Sequence, residues 1–88
     1  AQQYVYVLRI LEELATWCGD ENNLPRLSGL REKQCDAILA CAWDGNWGRR
    51  GFYDDGNPIG SESCEFGKIW LNTQSWAVLA GVGSRDQQ

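Results

Sequence analysis

The spacing of apolar residues near the N-terminus is the sequence feature that most constrains the fold of this chain. Over residues 3–18 they recur at three- and four-residue steps, which predicts an amphipathic helix that Gly19 ends. Val5, Ile10 and Trp17 interrupt its polar face, so we expect the helix to contact neighbours on two sides. The periodic positions are Tyr4, Val7, Leu8, Leu11, Leu14, Ala15 and Cys18.

A second helix is predicted after a short polar connection. Asn23 is the candidate N-cap, and Pro25 is tolerated in the first helical turn. Apolar residues follow at near-helical spacing until Asp44-Gly45, which supplies a stop signal. Residues 1–45 are therefore predicted to form a helical hairpin.

The second half of the chain changes character. Residues 46–71 are rich in aromatic residues and glycine, and we expect short extended segments at Trp47–Tyr53 and Ile59-Gly60 around a dense turn signal. Asn72 is the candidate N-cap of a last short helix over 72–83, and 84–88 form a polar tail. The fold class predicted is mainly α, a single domain with a short β-hairpin region.

Charge and composition exclude several classes of function. The net charge is −4 and no basic face is evident, which argues against nucleic-acid binding. No apolar run approaches the roughly 20 residues of a membrane span, so we expect a cytoplasmic protein. The chain has no His, and its four Cys form no C-x-x-C pair, so we expect reduced thiols, no metal site and no cofactor.

Carboxylates are the remaining candidates for chemistry. Paired-carboxylate hydrolysis is compatible with the composition, because Asp44, Asp54, Asp55, Glu62 and Glu65 all lie in the loop-rich half. The simpler interpretation is structural: Asp44 ends a helix, and Asp54 and Asp55 form a turn.

An ordered series of motifs begins at Ala42. It reads W-D-G-x-W from Trp43, R-x-x-x-D-D-G-N-P-x-G-S from Arg50, E-x-G-K-I from Glu65 and Q-S-W-A-V-L-x-G from Gln74. In order and spacing it resembles the cellobiose phosphorylase family, formerly grouped as glycosyltransferase family 36 and now as glycoside hydrolase family 94. The helical hairpin resembles the family in general pattern.

The resemblance implies a fold and a reaction. Family members have an (α/α)₆ barrel catalytic domain and cleave β-glucosidic bonds with inorganic phosphate, inverting the anomeric centre. In the family an aspartate of a D-W-N-D-G-like motif is the acid, and a histidine helps to hold phosphate. This chain has neither feature. We therefore expect part of such a barrel, with no catalytic residue of its own and no turnover alone.

Side chains in the aromatic half are candidates for sugar binding. Aromatic faces suit the apolar faces of sugar rings, and polar side chains can bond hydroxyl groups. The alternative is that the tryptophans pack the last helix and that the arginine pairs with a turn carboxylate. The candidates are Trp47, Arg50, Glu65, Trp70, Gln74 and Trp76.

Three functions remain open from the sequence. The first is a fragment or truncated relative of a phosphorylase, with a β-linked oligosaccharide and phosphate as partners. The second is a separate non-catalytic carbohydrate-binding module. The third is a small assembly protein whose exposed helix faces form a homo-oligomer.

Overall fold

The computed structural model describes residues 1–88 and is mainly helical, with three helices and a short β-hairpin. This confirms the predicted class of structure. The elements in chain order are α1 (Gln2–Cys18), α2 (Leu24–Ala42), β1 (Gly51–Phe52), β2 (Pro58–Ile59) and α3 (Leu71–Ala80).

Glycine ends two of the helices. Gly19 follows α1 with φ of 73°, and Gly81 follows α3 with φ of 68°. In this left-handed conformation the N–H of Gly19 reaches the carbonyls of Ala15 and Thr16, which would otherwise lack partners. The predicted stop at Gly19 is therefore confirmed.

The predicted helix starts are less accurate. Asn23 occupies the N-cap position of α2, but its amide donates to the Asp20 carboxylate (2.8 Å) instead of capping the helix. The prediction of Asn72 as an N-cap is wrong, because α3 begins at Leu71 and Trp70 precedes it. The indole of Trp70 cannot accept a capping hydrogen bond, so the signal that Asn72 offers is not used.

A small core holds α3 against the helical hairpin. Val5 of α1, Ile38 of α2, and Ala80 and Val82 form one buried cluster. Arg9 reinforces the contact, since its guanidinium donates to the carbonyls of Ala80 and Gly81 at the end of α3. A cation at this position also complements the negative end of the helix dipole.

One ion pair joins α1 to α2. Arg31 Nε lies 2.7 Å from Glu12 Oε2, and the Ser28 hydroxyl donates to the other oxygen of the same carboxylate. The hydrogen bond from Arg31 is the largest influence that lowers the pKa of Glu12 below its usual 4.5. These polar contacts thus help to hold the two helices of the hairpin together.

The β-hairpin is shorter than the predicted extended segments. β1 and β2 are antiparallel, with Gly51 opposite Ile59 and Phe52 opposite Pro58. The Asp55 carboxylate accepts from the backbone N–H (2.9 Å) and the side-chain amide of Asn57, which is the turn-forming role expected of it. Trp47 lies outside the strands. It is in a loop closed by an isolated antiparallel β-bridge between Trp43 and Gly48.

Much apolar surface is left uncovered. Six hydrophobic residues are buried, whereas sixteen large ones are exposed, including Trp17 at 89%. The radius of gyration is 14.7 Å, against about 12 Å for a compact domain of this length. None of the three helices combines the length and apolar character needed to cross a bilayer.

Candidate functional site

The indole of Trp47 stabilises the loop between α2 and α3 through two hydrogen bonds. The half-buried Nε1–H lies 3.0 Å from the carbonyl of Gly60 and 2.8 Å from that of Lys68. One donor therefore joins the segment after β2 to the segment before α3. This candidate sugar-binding side chain has its only polar atom engaged with backbone, so only its ring edge and face remain for a ligand.

The side-chain amide of Gln74 on α3 also stabilises this loop through hydrogen bonds. Its Oε1 accepts from Gly48 N–H (3.0 Å), and its Nε2 donates to Gly48 C=O (2.8 Å). The side chain thereby satisfies both backbone groups of a buried glycine, as a neighbouring strand would. Gln74, another candidate for sugar hydroxyls, already uses both ends of its amide in this way.

The carboxylate of Asp44 accepts three hydrogen bonds within the loop. This carboxylate, only 6% exposed, accepts from Arg49 Nε (2.7 Å), Ser61 Oγ (2.7 Å) and the backbone N–H of Glu62 (2.8 Å). The Glu62 N–H, the Ser61 hydroxyl and Arg49, in that order, lower the pKa of Asp44 to about 2. A general acid must carry a proton, so this geometry suits an anchor and not an acid.

The contacts of Asp44 are hard to predict from the sequence. A carboxylate directly after a helix and before glycine is ordinary stop chemistry, and that interpretation accounts for its position. The three donors come from residues 5 to 18 positions further along the chain. Only the occurrence of Asp44 and Ser61 within the same ordered series of motifs links them in the sequence.

Arg50 and Trp70 form an exposed stacked pair. The guanidinium carbon lies 5.2 Å from the centroid of the Trp70 ring, within the range of a cation–π interaction. Gly60 makes the approach possible: its φ is 77°, and a Cβ there would lie 2.8 Å from Trp70 Cδ1. Neither the guanidinium nor the Trp70 indole N–H has a hydrogen-bond partner, so both donors are open to a ligand.

Trp76 stacks with a different aromatic partner. It packs edge-on against Tyr6 of α1, with ring centroids 5.7 Å apart. It also lines a cleft of about 430 Å³ to which Arg50 and Phe52 contribute. Arg50 thus both stacks with Trp70 and contributes to the cleft that Trp76 lines.

Glu65 is the candidate that joins no cluster. It is exposed in the loop after β2, and its side chain forms no hydrogen bond or ion pair. No three acidic, thiol or imidazole side chains converge on a point where a metal ion would fit. The candidate site is therefore a surface of hydrogen-bond donors and aromatic rings.

The comparison with protein families covers this whole surface. The model of the glycosyl hydrolase 94 superfamily, catalytic domain, matches residues 1–88. The chain belongs to the glycosyl hydrolase 94 superfamily. The resemblance drawn from the motifs between Ala42 and Gly81 is thereby confirmed.

Curated relatives of the superfamily agree. The chain is 37% identical over 83 residues to a 3-O-β-D-glucopyranosyl-β-D-glucuronide phosphorylase of Paenibacillus borealis. The aligned stretch covers 94% of this chain and 11% of that protein. It is 47% identical over 74 residues to the cellobionic acid phosphorylase of Neurospora crassa (80% and 9%). It is 34% identical over 68 residues to a solabiose phosphorylase of Paenibacillus borealis (77% and 9%).

The chain spans about a tenth of the length of these relatives. It is a short stretch that matches glycoside phosphorylases, as expected from the sequence. No observation favours a separate binding module or a ligand-free assembly protein over this relationship.

Proposed function

We propose that this chain is the part of an inverting glycoside phosphorylase catalytic domain that helps to bind a β-linked disaccharide or oligosaccharide, while other parts supply the acid and hold phosphate. The family match over residues 1–88 carries this proposal. The curated relatives are named as phosphorylases of glucosyl compounds, which supports the same class of substrate.

The binding surface proposed is centred on Arg50 and Trp70. Both side chains keep free donors, and Trp70 is 43% exposed, so a sugar ring can stack beside it. Trp47 and Gln74 act behind this surface, because their polar atoms hold the loop together. Glu65 and Trp76 remain candidate contacts at its edges.

A titration tests this surface. Cellobiose and N,N′-diacetylchitobiose are added to the isotopically labelled chain while backbone amide and indole N–H signals are followed. A shallow site gains about 0.5–1.5 kcal/mol per hydrogen bond against the cost of association, so we expect dissociation constants of about millimolar or weaker. Shifts centred on Trp70 and Arg50 support the proposal, and no shift at high millimolar sugar contradicts it.

The exposed apolar residues fit a place in an (α/α)₆ barrel. α1 exposes Tyr4, Leu11 and Leu14 beside a groove of about 580 Å³ shared with Leu30 of α2. About nine-tenths of each relative's length lies outside the matched stretch, which is ample chain to supply neighbouring helices. We assign this groove to the next helical hairpin of the barrel.

The 88-residue chain by itself is proposed to form a homo-oligomer through the same uncovered groove. Its sixteen exposed large hydrophobic residues exceed the isolated few that are normal on a monomer.

A cytoplasmic location is also proposed. All four cysteines are free, with Cys18 and Cys41 exposed, as suits a reducing compartment; cell fractionation tests it.

A further inference from the structure

Both ends of the β-hairpin lie against the carboxylate of Asp44. Arg49 lies two positions before β1, and Ser61 lies two positions after β2. Oδ1 of Asp44 accepts from Arg49 Nε and from Ser61 Oγ (both 2.7 Å), and Oδ2 accepts from the backbone N–H of Glu62 (2.8 Å). One side chain outside the hairpin therefore joins the residues that lead into it to those that lead out of it.

The same two ends of the hairpin carry the exposed stacked pair. Arg50 follows Arg49 in the chain, and Gly60 precedes Ser61. A Cβ at Gly60 would lie 2.8 Å from Trp70 Cδ1 and 3.1 Å from Arg50 Cβ, so these three residues are in close mutual contact. A small displacement of one hairpin end relative to the other would therefore change how the guanidinium of Arg50 lies on the Trp70 ring.

An ionised carboxylate suits the three donors around Asp44, and an amide does not. Asp44 accepts on both oxygens, whereas asparagine has one acceptor oxygen and would turn its NH₂ group towards a donor. The side chain of Asp44 is only 6% exposed, so water has little access to replace a lost partner. Ending α2 requires none of these distant partners, so helix termination does not account for the arrangement.

We propose that Asp44 is a positioning residue for sugar recognition: it fixes the two ends of the β-hairpin relative to each other and so places Arg50 against Trp70. The sugar-binding role rests on the proposed function, whereas the placement of the pair rests on the hydrogen bonds of Asp44. Asp44 itself does not touch the sugar, because its three donors cover the carboxylate. Its replacement should therefore act on binding through Arg50 and Trp70.

The contact between Arg50 and Trp70 has a spectroscopic signature of its own. The guanidinium of Arg50 lies over the aromatic ring, so the ring current shifts the NMR signals of the Arg50 side chain upfield. In D44N this shift should shrink towards the value of an isolated arginine, and the indole N–H signal of Trp70 should move. The affinity for cellobiose should fall about three- to tenfold, the size expected when one hydrogen bond or stacking contact is lost.

Two controls separate positioning from charge and from stability. D54N makes the same change of charge in the turn of the hairpin, where the exposed Asp54 side chain forms no hydrogen bond. V5A truncates a buried core side chain of α1, and so lowers stability away from the hairpin. At a temperature where every variant is folded, both controls should keep the Arg50 and Trp70 signals and the affinity for cellobiose.

Separate outcomes contradict the two proposals. If folded D44N keeps the Arg50 and Trp70 signals or keeps its affinity for cellobiose, or if V5A loses affinity equally, the positioning role is overturned and the proposed function stands. If D44N does not fold, S61A decides, because it removes one of the three donors: unchanged Arg50 and Trp70 signals in S61A overturn the positioning role. Absence of sugar binding by the original chain overturns the proposed function, whereas the NMR signals still test the placement of Arg50.

Discussion

Replacing Gln74 tests whether its amide holds the loop to α3. In Gln74→Ala the two hydrogen bonds to Gly48 are lost, and the N–H and C=O of this buried residue keep no partner. Each bond contributes about 1 kcal/mol net, and a buried group left unsatisfied costs about 1–3 kcal/mol. Since the loop can partly relax to admit water, we expect a loss of about 2–3 kcal/mol.

Urea unfolding followed by tryptophan fluorescence measures the loss. With an m-value near 1 kcal/mol/M for a chain of this size, the midpoint should fall by about 2–3 M. Gln34→Ala is the matched control, because Gln34 is a half-buried glutamine of α2 whose side chain forms no hydrogen bond. It should change stability by less than about 0.5 kcal/mol.

Gln74→Glu refines the test. A carboxylate keeps the acceptor for Gly48 N–H but turns an oxygen towards Gly48 C=O, so the variant should be destabilised at neutral pH. Protonation restores a donor, so its deficit relative to the original chain should shrink as pH falls through about 4 to 5. If Gln74→Ala and Gln34→Ala unfold at the same urea concentration, the amide does not hold the loop.

Three further predictions follow from the contacts described. Arg9→Met keeps the aliphatic stem but removes the donors to Ala80 and Gly81; thermal unfolding should show a loss of about 2–3 kcal/mol, and a loss below 0.5 would contradict the capping role. The lowered pKa of Asp44 gives stability that is present above pH about 4 and lost as pH falls towards 2, so acid titration should show a shallower decline in Asp44→Asn; identical pH profiles would refute the anchor. Sedimentation should show a dimer or larger species that Leu11→Glu weakens, whereas a monomer at high concentration would contradict the exposed groove as a contact surface.

Periodicity and glycine predicted the helices because both act locally. The apolar steps of residues 3–18 and the stop at Gly19 depend on neighbours within one or two turns, so the sequence alone contains the information. The first residue of α3 could not be predicted in the same way. Trp70 precedes the helix and stacks with Arg50, which is twenty positions earlier in the chain, and no local signal reports such a contact.

The sequence groups the candidate side chains in one region, but it does not predict the separate contacts that each of them makes. Trp47, Arg50 and Gln74 are grouped by the sequence because aromatic and polar side chains occur together in the loop-rich half. Their roles differ because hydrogen bonds between distant segments use the polar atoms of Trp47 and Gln74 and leave those of Arg50 free. Such long-range bonds follow from the fold, and spacing along the chain does not encode them.

An assay of phosphorolysis tests the central claim that this chain supplies binding surface and structure but not the reacting groups. The 88-residue chain is incubated with cellobiose or cellobionate and inorganic phosphate, and glucose 1-phosphate is measured. We expect no release above a protein-free control, since the Asp44 carboxylate is held ionised and no His is present to hold phosphate. Release at an enzyme-like rate that a substitution in this chain abolishes would contradict the account.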